Sequence, residues 1–213
     1  MKNLGNVYVI TAPSGTGKTT INRRLVRENE EIEFSVSYTT RNKRENEVHG
    51  KDYWYVSEDK ILELINNSEM LEWANVFGHY YGTRLSELEN QLLEDKKILL
   101  EIDVQGWMKV KKRSSEVKSI FILPPSVEKL RQRLFNRKSE SIESFKRRIM
   151  TAKSELLYAK YYDSFIINED LEKTYQKVKD YIKHGKIFSM SKNQAIDHCN
   201  KLIDDFSNIN LDL

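Results

Sequence analysis

The stretch VYVITAPSGTGKTT, residues 7–20, runs an apolar segment into a glycine-bearing turn that ends in Lys18-Thr19-Thr20. The spacing G-x-x-x-x-G-K-[ST] is met over residues 12–19, except that Ala12 stands at the first glycine position. Ala12, Pro13 and Ser14 lead into a turn whose backbone N–H groups at Gly15, Thr16 and Gly17 can wrap a phosphate, and the following helix N-terminus adds its dipole. Lys18 is spaced to reach β- and γ-phosphate oxygens, and the Thr19 hydroxyl to bind Mg²⁺. Ala12 needs only a backbone angle open to an L-residue, so the substitution weakens the match little. Downstream, ILLEIDVQG sets Glu101 and Asp103 near the end of an apolar run. A carboxylate beside a phosphate loop would hold a hydrated metal ion. Read alone, the pair serves equally well as solvated acids at a strand end.

A site that transfers a phosphoryl group must neutralise two converging anions, so an acceptor phosphate needs its own cationic and hydroxyl donors. The segment SYTTRNKRENEVHGKDYWYV offers Ser37, Arg41, Arg44 and Tyr53, and LEWANVFGHYYGT adds Glu72, Tyr81 and Thr83. A third, strongly basic region contains Arg133, Arg137 and Arg148. Arginine suits anion closure because its planar fork binds phosphate oxygens two at a time and stays charged. Singly, each residue also has a plain reading. The arginines serve as solvated loop or helix charges, Glu72 as an exposed strand acid, and the tyrosines as half-buried packing residues.

These side chains need elements to hold them. Short apolar runs at Val7–Ile10, Ile98–Ile102, Ser119–Leu123 and Ser164–Ile167 predict buried strands. Between and after them, helical spacing links Ile21 with Leu25, Leu85 with Leu88 and Leu92, Val127 with Leu130 and Leu134, and Leu171 with Tyr175, Val178 and Ile182. Ser126 is the expected N-cap of the third of these helices. Such alternation predicts an α/β fold with a mostly parallel sheet covered by helices on both faces. Residues 34–56 and 129–148 break the pattern and are expected to be excursions from that core. The stripe Ile142, Phe145, Ile149, Ala152 and Leu156 would seat a helix of the second excursion, with Arg148 beside it. A final amphipathic helix, Ala195 to Phe206, carries Ile196, Cys199, Leu202, Ile203 and Phe206 on one face, suited to self-association or to docking on its own domain.

The totals bound the reading. The chain has 213 residues and a net charge of +3, a length suited to one α/β domain with excursions. That charge is too small to argue for nucleic acid, and the basic run KVKKRSSEVK lacks the aromatic residues that stack bases. No apolar run approaches the roughly 20 residues of a membrane span, and the N-terminus does not resemble a signal peptide. The lone Cys199 permits no intrachain disulfide, which suits a cytoplasmic setting.

APSGTGKT, VSYTTR, EVHGKDYWYV, FGHYYGT, IDVQG and FILPPS, in this order and spacing over about residues 6–183, resemble the guanylate kinase family of P-loop nucleoside monophosphate kinases. The resemblance implies a P-loop core with a parallel sheet flanked by helices, a small mixed β region that binds GMP, and a helical lid. The expected division is core over 1–33, GMP-binding region over 34–88, core over 89–125, lid over 126–157, core over 158–184 and a helical tail over 185–213. It also implies that Ser37, Arg41, Arg44, Tyr53 and Tyr81 grip the GMP phosphate, while Glu72, Thr83 and Asp103 read guanine. Thr19 and Glu101 would serve the metal ion. Arg137 and Arg148 would close over the phosphates, with Arg133 one helical turn before Arg137. Asn168, in IINED, matches a segment near the ATP adenine. The chain departs from the family pattern in lacking glycine around Arg137 and in carrying Glu101 where Asp is common.

The implied reaction is ATP + GMP to ADP + GDP with Mg²⁺, part of purine nucleotide metabolism and GMP recycling, with dGMP as a further acceptor. Lys18, Arg41, Arg137 and Arg148 would supply the catalytic charge. Base chemistry agrees: a single carboxylate can accept guanine N1–H and N2–H₂ together, whereas adenine N1 would meet it lone pair to lone pair. Thr83 can donate to guanine O6. Two alternatives stand beside this reading: a noncatalytic guanylate-kinase-like interaction module, and a kinase for another nucleoside monophosphate. The retained Gly15, Gly17, Lys18 and Thr19 argue against the first, and Glu72 with Thr83 against the second.

Overall fold

Val7–Thr11 forms strand β1, and every residue of it is buried. A continuous β-branched and aromatic run of this kind suits a strand covered on both faces rather than one with a wet side. In the computed structural model, which describes residues 4–76, 78–135, 142–185 and 190–207, β1 is the central strand of a five-stranded parallel sheet. The remaining strands are β2 (Ile32–Phe34), β7 (Lys97–Leu100), β8 (Lys118–Leu123) and β9 (Ser164–Ile167), in the order β2-β7-β1-β8-β9. Val7, Tyr8 and Val9 pair with Ile98, Leu99 and Leu100, Ile32 pairs with Lys97, and Ile120–Leu123 pairs with Ser164–Ile167. The predicted strands are therefore present with small changes of boundary. β7 stops at Leu100, so Glu101 lies just past its end. β2 carries too few apolar residues to be legible by pattern.

The chain divides into two compact units. The first comprises Met1–Val9 and Asn29–Lys118. Besides β2 and β7 it holds a four-stranded mixed sheet of β3 (Tyr38–Thr39), β4 (Trp54–Tyr55), β5 (Met70–Val76) and β6 (His79–Arg84), ordered β4-β3-β6-β5. β5 and β6 form an antiparallel hairpin in which Glu72 stands opposite Thr83. Tyr38, Ile61, Leu64 and Met70 form its own small core, flanked by Trp54, Trp73 and Tyr80. Helix α2 (Glu58–Asn66) starts at Ser57, whose hydroxyl accepts from the Lys60 N–H, and Glu58 and Asp59 in the first turn complement the helix dipole. α3 (Leu85–Leu93) packs on β7, and α4 (Val104–Arg113) on β5.

The second unit comprises Ile10–Glu28 and Ser119–Leu213. α1 (Lys18–Glu28) buries Ile21, Asn22 and Leu25 and packs on α7 (Leu171–His184), with Arg24 bonded to Glu28 and Glu172 and stacked on the Tyr175 ring. α7 begins at Asp170, whose carboxylate caps the Lys173 N–H, and ends at Gly185 in the left-handed conformation. Its buried face uses Thr174, Tyr175, Val178, Tyr181 and Ile182, whereas Leu171 is exposed. Residues 129–148 bear out the helical spacings read there. They lie largely in two helices, α5 (Val127–Phe135) and α6 (Ile142–Leu156), and Ser126 caps the first as expected. On α6 Phe145, Ile149, Ala152 and Leu156 are buried, as the stripe predicts.

The terminal helix α8 (Lys192–Ser207) decides between the two uses of its apolar face. Ala195, Cys199, Leu202 and Phe206 are buried, and the helix packs on α5, α6, β9 and a 3-10 turn at Ala159–Tyr161. Of the two uses expected of this face, docking within the chain is the one observed: it is covered by the chain's own second unit. Burial also pushes the Cys199 thiol up to about 12, leaving it protonated and inert at neutral pH. Leu202→Ala is expected to lower the unfolding free energy by about 2–4 kcal/mol, read from urea denaturation. A loss under 1 kcal/mol would mean that α8 is only loosely docked.

Candidate functional site

Two cavities, one in each unit, hold many of the candidate residues, but Arg41, Arg44, Thr83, Arg133 and Asn168 are not among their linings. The donor cavity in the second unit, about 230 Å³, is lined by Ala12 through Thr20 together with Arg148 and Glu155. Gly15 and Gly17 hold φ values of +87° and +105°, which L-residues rarely adopt. A β-carbon on Gly15 would also meet the Leu134 side chain at 2.8 Å, and one on Gly17 the Asn168 amide at 2.9 Å. Glycine is therefore required twice, for backbone angle and for space. The turn is closed by a Thr16 N–H to Pro13 carbonyl bond of 3.0 Å, and α1 starts directly at Lys18.

The loop is held from outside. Buried Asn168 (1% exposed) donates Nδ2–H to the Thr16 carbonyl at 2.6 Å and accepts from the Thr174 hydroxyl at 3.0 Å. Arg133 donates to the same Thr16 carbonyl at 3.2 Å and to the Asn168 carbonyl at 3.1 Å. Burial lowers the Arg133 pKa, since desolvation penalises the cation. The side chains of Asn168 and Arg133 thus brace the phosphate loop. Arg148 donates through Nε and Nη2 to the Ser14 hydroxyl at 3.0 Å, and the Ser14 N–H donates to Glu155 at 3.1 Å. Arg137 lies outside the described residues.

The acceptor cavity in the first unit, about 330 Å³, is lined by Ser37, Tyr53, Glu72, Tyr81, Glu101 and Asp103, with Ala74, Val76, Gly82 and Ile102. Glu72 is 5% exposed and accepts from the Thr83 hydroxyl across the hairpin at 2.9 Å. Burial pushes its pKa up to about 7; the Thr83 bond opposes that rise, the Asp103 charge adds to it, and Lys109 opposes it. Asp103 caps α4, its Oδ1 accepting the Gly106 N–H at 2.8 Å. Burial raises the Tyr53 pKa, and the Glu101 charge adds to the rise, so the phenol stays protonated and able to donate. Its ring meets Tyr81 edge-on at 5.9 Å.

The two candidate arginines of this unit differ. Arg41 has a side chain only 15% exposed, binds both Glu47 oxygens at 2.8 and 3.0 Å and stands over the Tyr53 ring at 5.4 Å. Arg44 is 75% exposed, but its backbone N–H also reaches Glu47 at 2.8 Å. Tyr55 adds a hydroxyl donor to that carboxylate at 2.7 Å. Holding these donors drops the Glu47 pKa to about 2 and raises that of Arg41. Glu47, Tyr55 and Glu155 were not singled out from the sequence. Glu155 had a usable signal, because it lies seven residues after Arg148 and so on the same helical face.

A family model described as guanylate kinase matches residues 4–185, spanning both cavities. The chain belongs to the guanylate kinase family. It is 41% identical over 182 residues to the guanylate kinase of Geobacter sulfurreducens, covering 85% of this chain and 90% of that protein. To the guanylate kinase of Thermotoga maritima it is 38% identical over 190 residues, covering 89% and 91%. Among solved structures, guanylate kinase from Anaplasma phagocytophilum matches with a TM-score of 0.65 at 36% identity, covering 84% of this chain and 85% of that one. Membership makes this chain an ATP-using phosphotransferase with the P-loop α/β fold. The matched region ends at the helix α7 cap, so α8 lies beyond it. Among the described residues no helix is long and apolar enough to cross a membrane.

Proposed function

We propose that this chain transfers the γ-phosphoryl group of ATP to GMP, with ATP held by the Ala12–Thr19 loop and GMP by the cavity around Glu72. The observation that carries the choice of acceptor is the buried Glu72 carboxylate on the wall of a cavity of about 330 Å³. As a carboxylate it can accept guanine N1–H and N2–H₂ side by side. Adenine would leave it facing a lone pair, and a site built on such polar pairs rejects the wrong base by roughly 10⁴–10⁵. Thr83, donating to Glu72, would keep that carboxylate aimed. Asp103, capping α4 on the same wall, would offer its remaining oxygen to the base.

Ser37, Tyr53 and Tyr81 line the cavity, and their hydroxyls would serve the GMP phosphate. Arg41 brings its charge beside Tyr53, already set in one plane by Glu47. The GMP phosphate oxygen is itself the nucleophile, so the protein forms no covalent intermediate. Lys18 would neutralise the donor phosphates and Arg41 and Arg44 the acceptor phosphate, with Arg148 and, by family resemblance, Arg137 closing over the phosphates. Their shared task is alignment and charge neutralisation of an in-line displacement.

Mg²⁺ fits the donor set as an ion bound mainly by phosphates and water. Thr19 lines the donor cavity, and no cluster of three acidic, histidine or cysteine ligands occurs among the described residues. Magnesium usually takes one or two protein oxygens together with substrate phosphates. Thr19 would be such a ligand, and the ion would supply further neutralisation of the triphosphate. With nucleotide substrates of this kind we place the reaction in the cytoplasm. dGMP should serve as well, since no guanine contact above involves the ribose. Any homo-oligomer built through α8 would have to use its polar outer face, because its apolar face is covered.

Release of ADP measured with GMP, AMP, CMP and UMP in turn tests the reading. GMP is expected to be preferred over AMP by at least about 10³-fold in kcat/KM. Equal use of AMP would overturn it.

A further inference from the structure

Four donors from three residues converge on one carboxylate in the first unit. Glu47 accepts from Arg41 Nη1 at 3.0 Å and Nη2 at 2.8 Å, from the Arg44 backbone N–H at 2.8 Å and from the Tyr55 hydroxyl at 2.7 Å. Its own N–H donates to the Arg44 carbonyl at 3.1 Å, which closes the turn between the two residues. The Arg41 guanidinium draws the Glu47 pKa down, the Arg44 N–H and the Tyr55 hydroxyl add to the fall, and it reaches about 2 against the opposing effect of burial. The group is therefore charged at any pH near neutral.

A negative charge beside a phosphate site admits two roles. It could stand in for the phosphate and compete with it, or it could hold the cation that receives it. The arginine fork separates them. A guanidinium has five N–H donors. Nη1 spends its two on Glu47 and on the Asn42 carbonyl, at 2.7 Å, and Nη2 spends one on Glu47. The two left by these bonds, on Nε and Nη2, form the second edge of the fork, which can take two phosphate oxygens without disturbing Glu47. The same guanidinium meets two residues of the acceptor wall. It stands over the Tyr53 ring at 5.4 Å, and Tyr81 adds to the rise in its pKa that Glu47 begins. A competitor, by contrast, would have to release four bonds, one of them to the main chain, each time a phosphate arrived.

We propose that Glu47 is a positioning residue for the acceptor phosphate, holding Arg41 by one edge of its fork and the Arg44 main chain by its N–H, so that the second Arg41 edge is oriented before GMP binds. Its charge removes some attraction for the phosphate. Ordering a long side chain and its loop in advance outweighs that loss. The inference deepens the proposed reaction and rests on assigning this cavity to GMP.

The test compares GMP with guanosine, which lacks the phosphate, on the full chain as wild type and as Glu47→Gln. Calorimetry follows GMP, and an NMR titration follows guanosine. The amide removes the charge and sets an NH₂ group against donors. GMP is expected to bind about five- to fiftyfold more weakly to the variant, and guanosine within about twofold of wild type. Tighter GMP binding would reveal a competitor, unchanged GMP binding a bystander, and an equal loss for guanosine a general collapse of the cavity; each overturns the proposal. Should Glu47→Gln fail to fold, Tyr55→Phe decides, because it takes one donor from the carboxylate and leaves the ring near Arg41. It is expected to weaken GMP about two- to fivefold with guanosine unchanged, and GMP affinity equal to wild type would overturn the proposal. Wild type that binds GMP no better than guanosine would sink the acceptor-site reading as well, whereas failure in the variants alone leaves that reading standing.

Discussion

Lys18→Ala is expected to reduce turnover by a factor on the order of 10³–10⁵ while GMP binds almost as before. The size follows from what the ammonium does. Phosphoryl transfer asks little covalent chemistry of the protein, so most acceleration comes from charge fixed around the transferring group, and a single cation there, such as an arginine finger, carries effects of this order. The selectivity follows from placement: Lys18 lines the donor cavity, and the acceptor cavity is lined by other residues, all in the first unit. Lys18→Arg should rescue poorly, because a planar fork does not replace a compact point charge in a turn closed this tightly. A coupled assay gives kcat, and calorimetry with GMP gives the acceptor affinity. A Lys18→Ala protein with more than a tenth of wild-type kcat would defeat the donor assignment.

The second large effect belongs to Glu72. Its folded-state pKa is raised from 4.5 to about 7, chiefly by burial. Below that value the group is largely a neutral acid, and a carboxylic O–H set against guanine donors loses one of two accepted bonds. GMP binding should therefore weaken as pH falls through about 7, with KM for GMP rising and KM for ATP nearly flat. The sign for stability is opposite. A carboxyl whose folded pKa exceeds its unfolded value stabilises the fold below about 4.5, and that contribution is lost as pH rises through about 7. Glu72→Gln should thus fold at least as well as wild type at pH 8. Its kcat/KM for GMP should still fall by roughly 10²–10⁴, the loss of two hydrogen bonds to a charged acceptor. Matching losses in the GMP and ATP parameters, or a flat pH profile for GMP, would show that Glu72 does not read the base.

The donor loop was legible because its chemistry is contiguous: Gly15, Gly17, Lys18 and Thr19 lie within five positions. An apolar strand on one side and a helix on the other are local consequences of composition. Strands β1, β7, β8 and β9 and the buried stripes of α1 and α6 could be read for the same reason. β2 was not legible, because its three residues carry too little apolar pattern. Asn168 was expected near the adenine from the segment it lies in. Its side chain bonds Thr16 and Thr174, and the first of these contacts, across 152 residues, is one that spacing cannot reveal.

From its residue order, then, the chain determined which groups could bind phosphate, which could distinguish purines, and that strands alternate with helices. Tertiary structure decided their states and supports. It buried Glu72 so that its pKa reaches about 7, paired Arg41 with Glu47, and set Glu155 and Arg148 on Ser14. It also covered the apolar face of α8 from within the chain. The physical reason is range. Backbone propensity and side-chain periodicity act over a few residues, whereas desolvation and charge pairing depend on what distant segments bring to the same few ångströms.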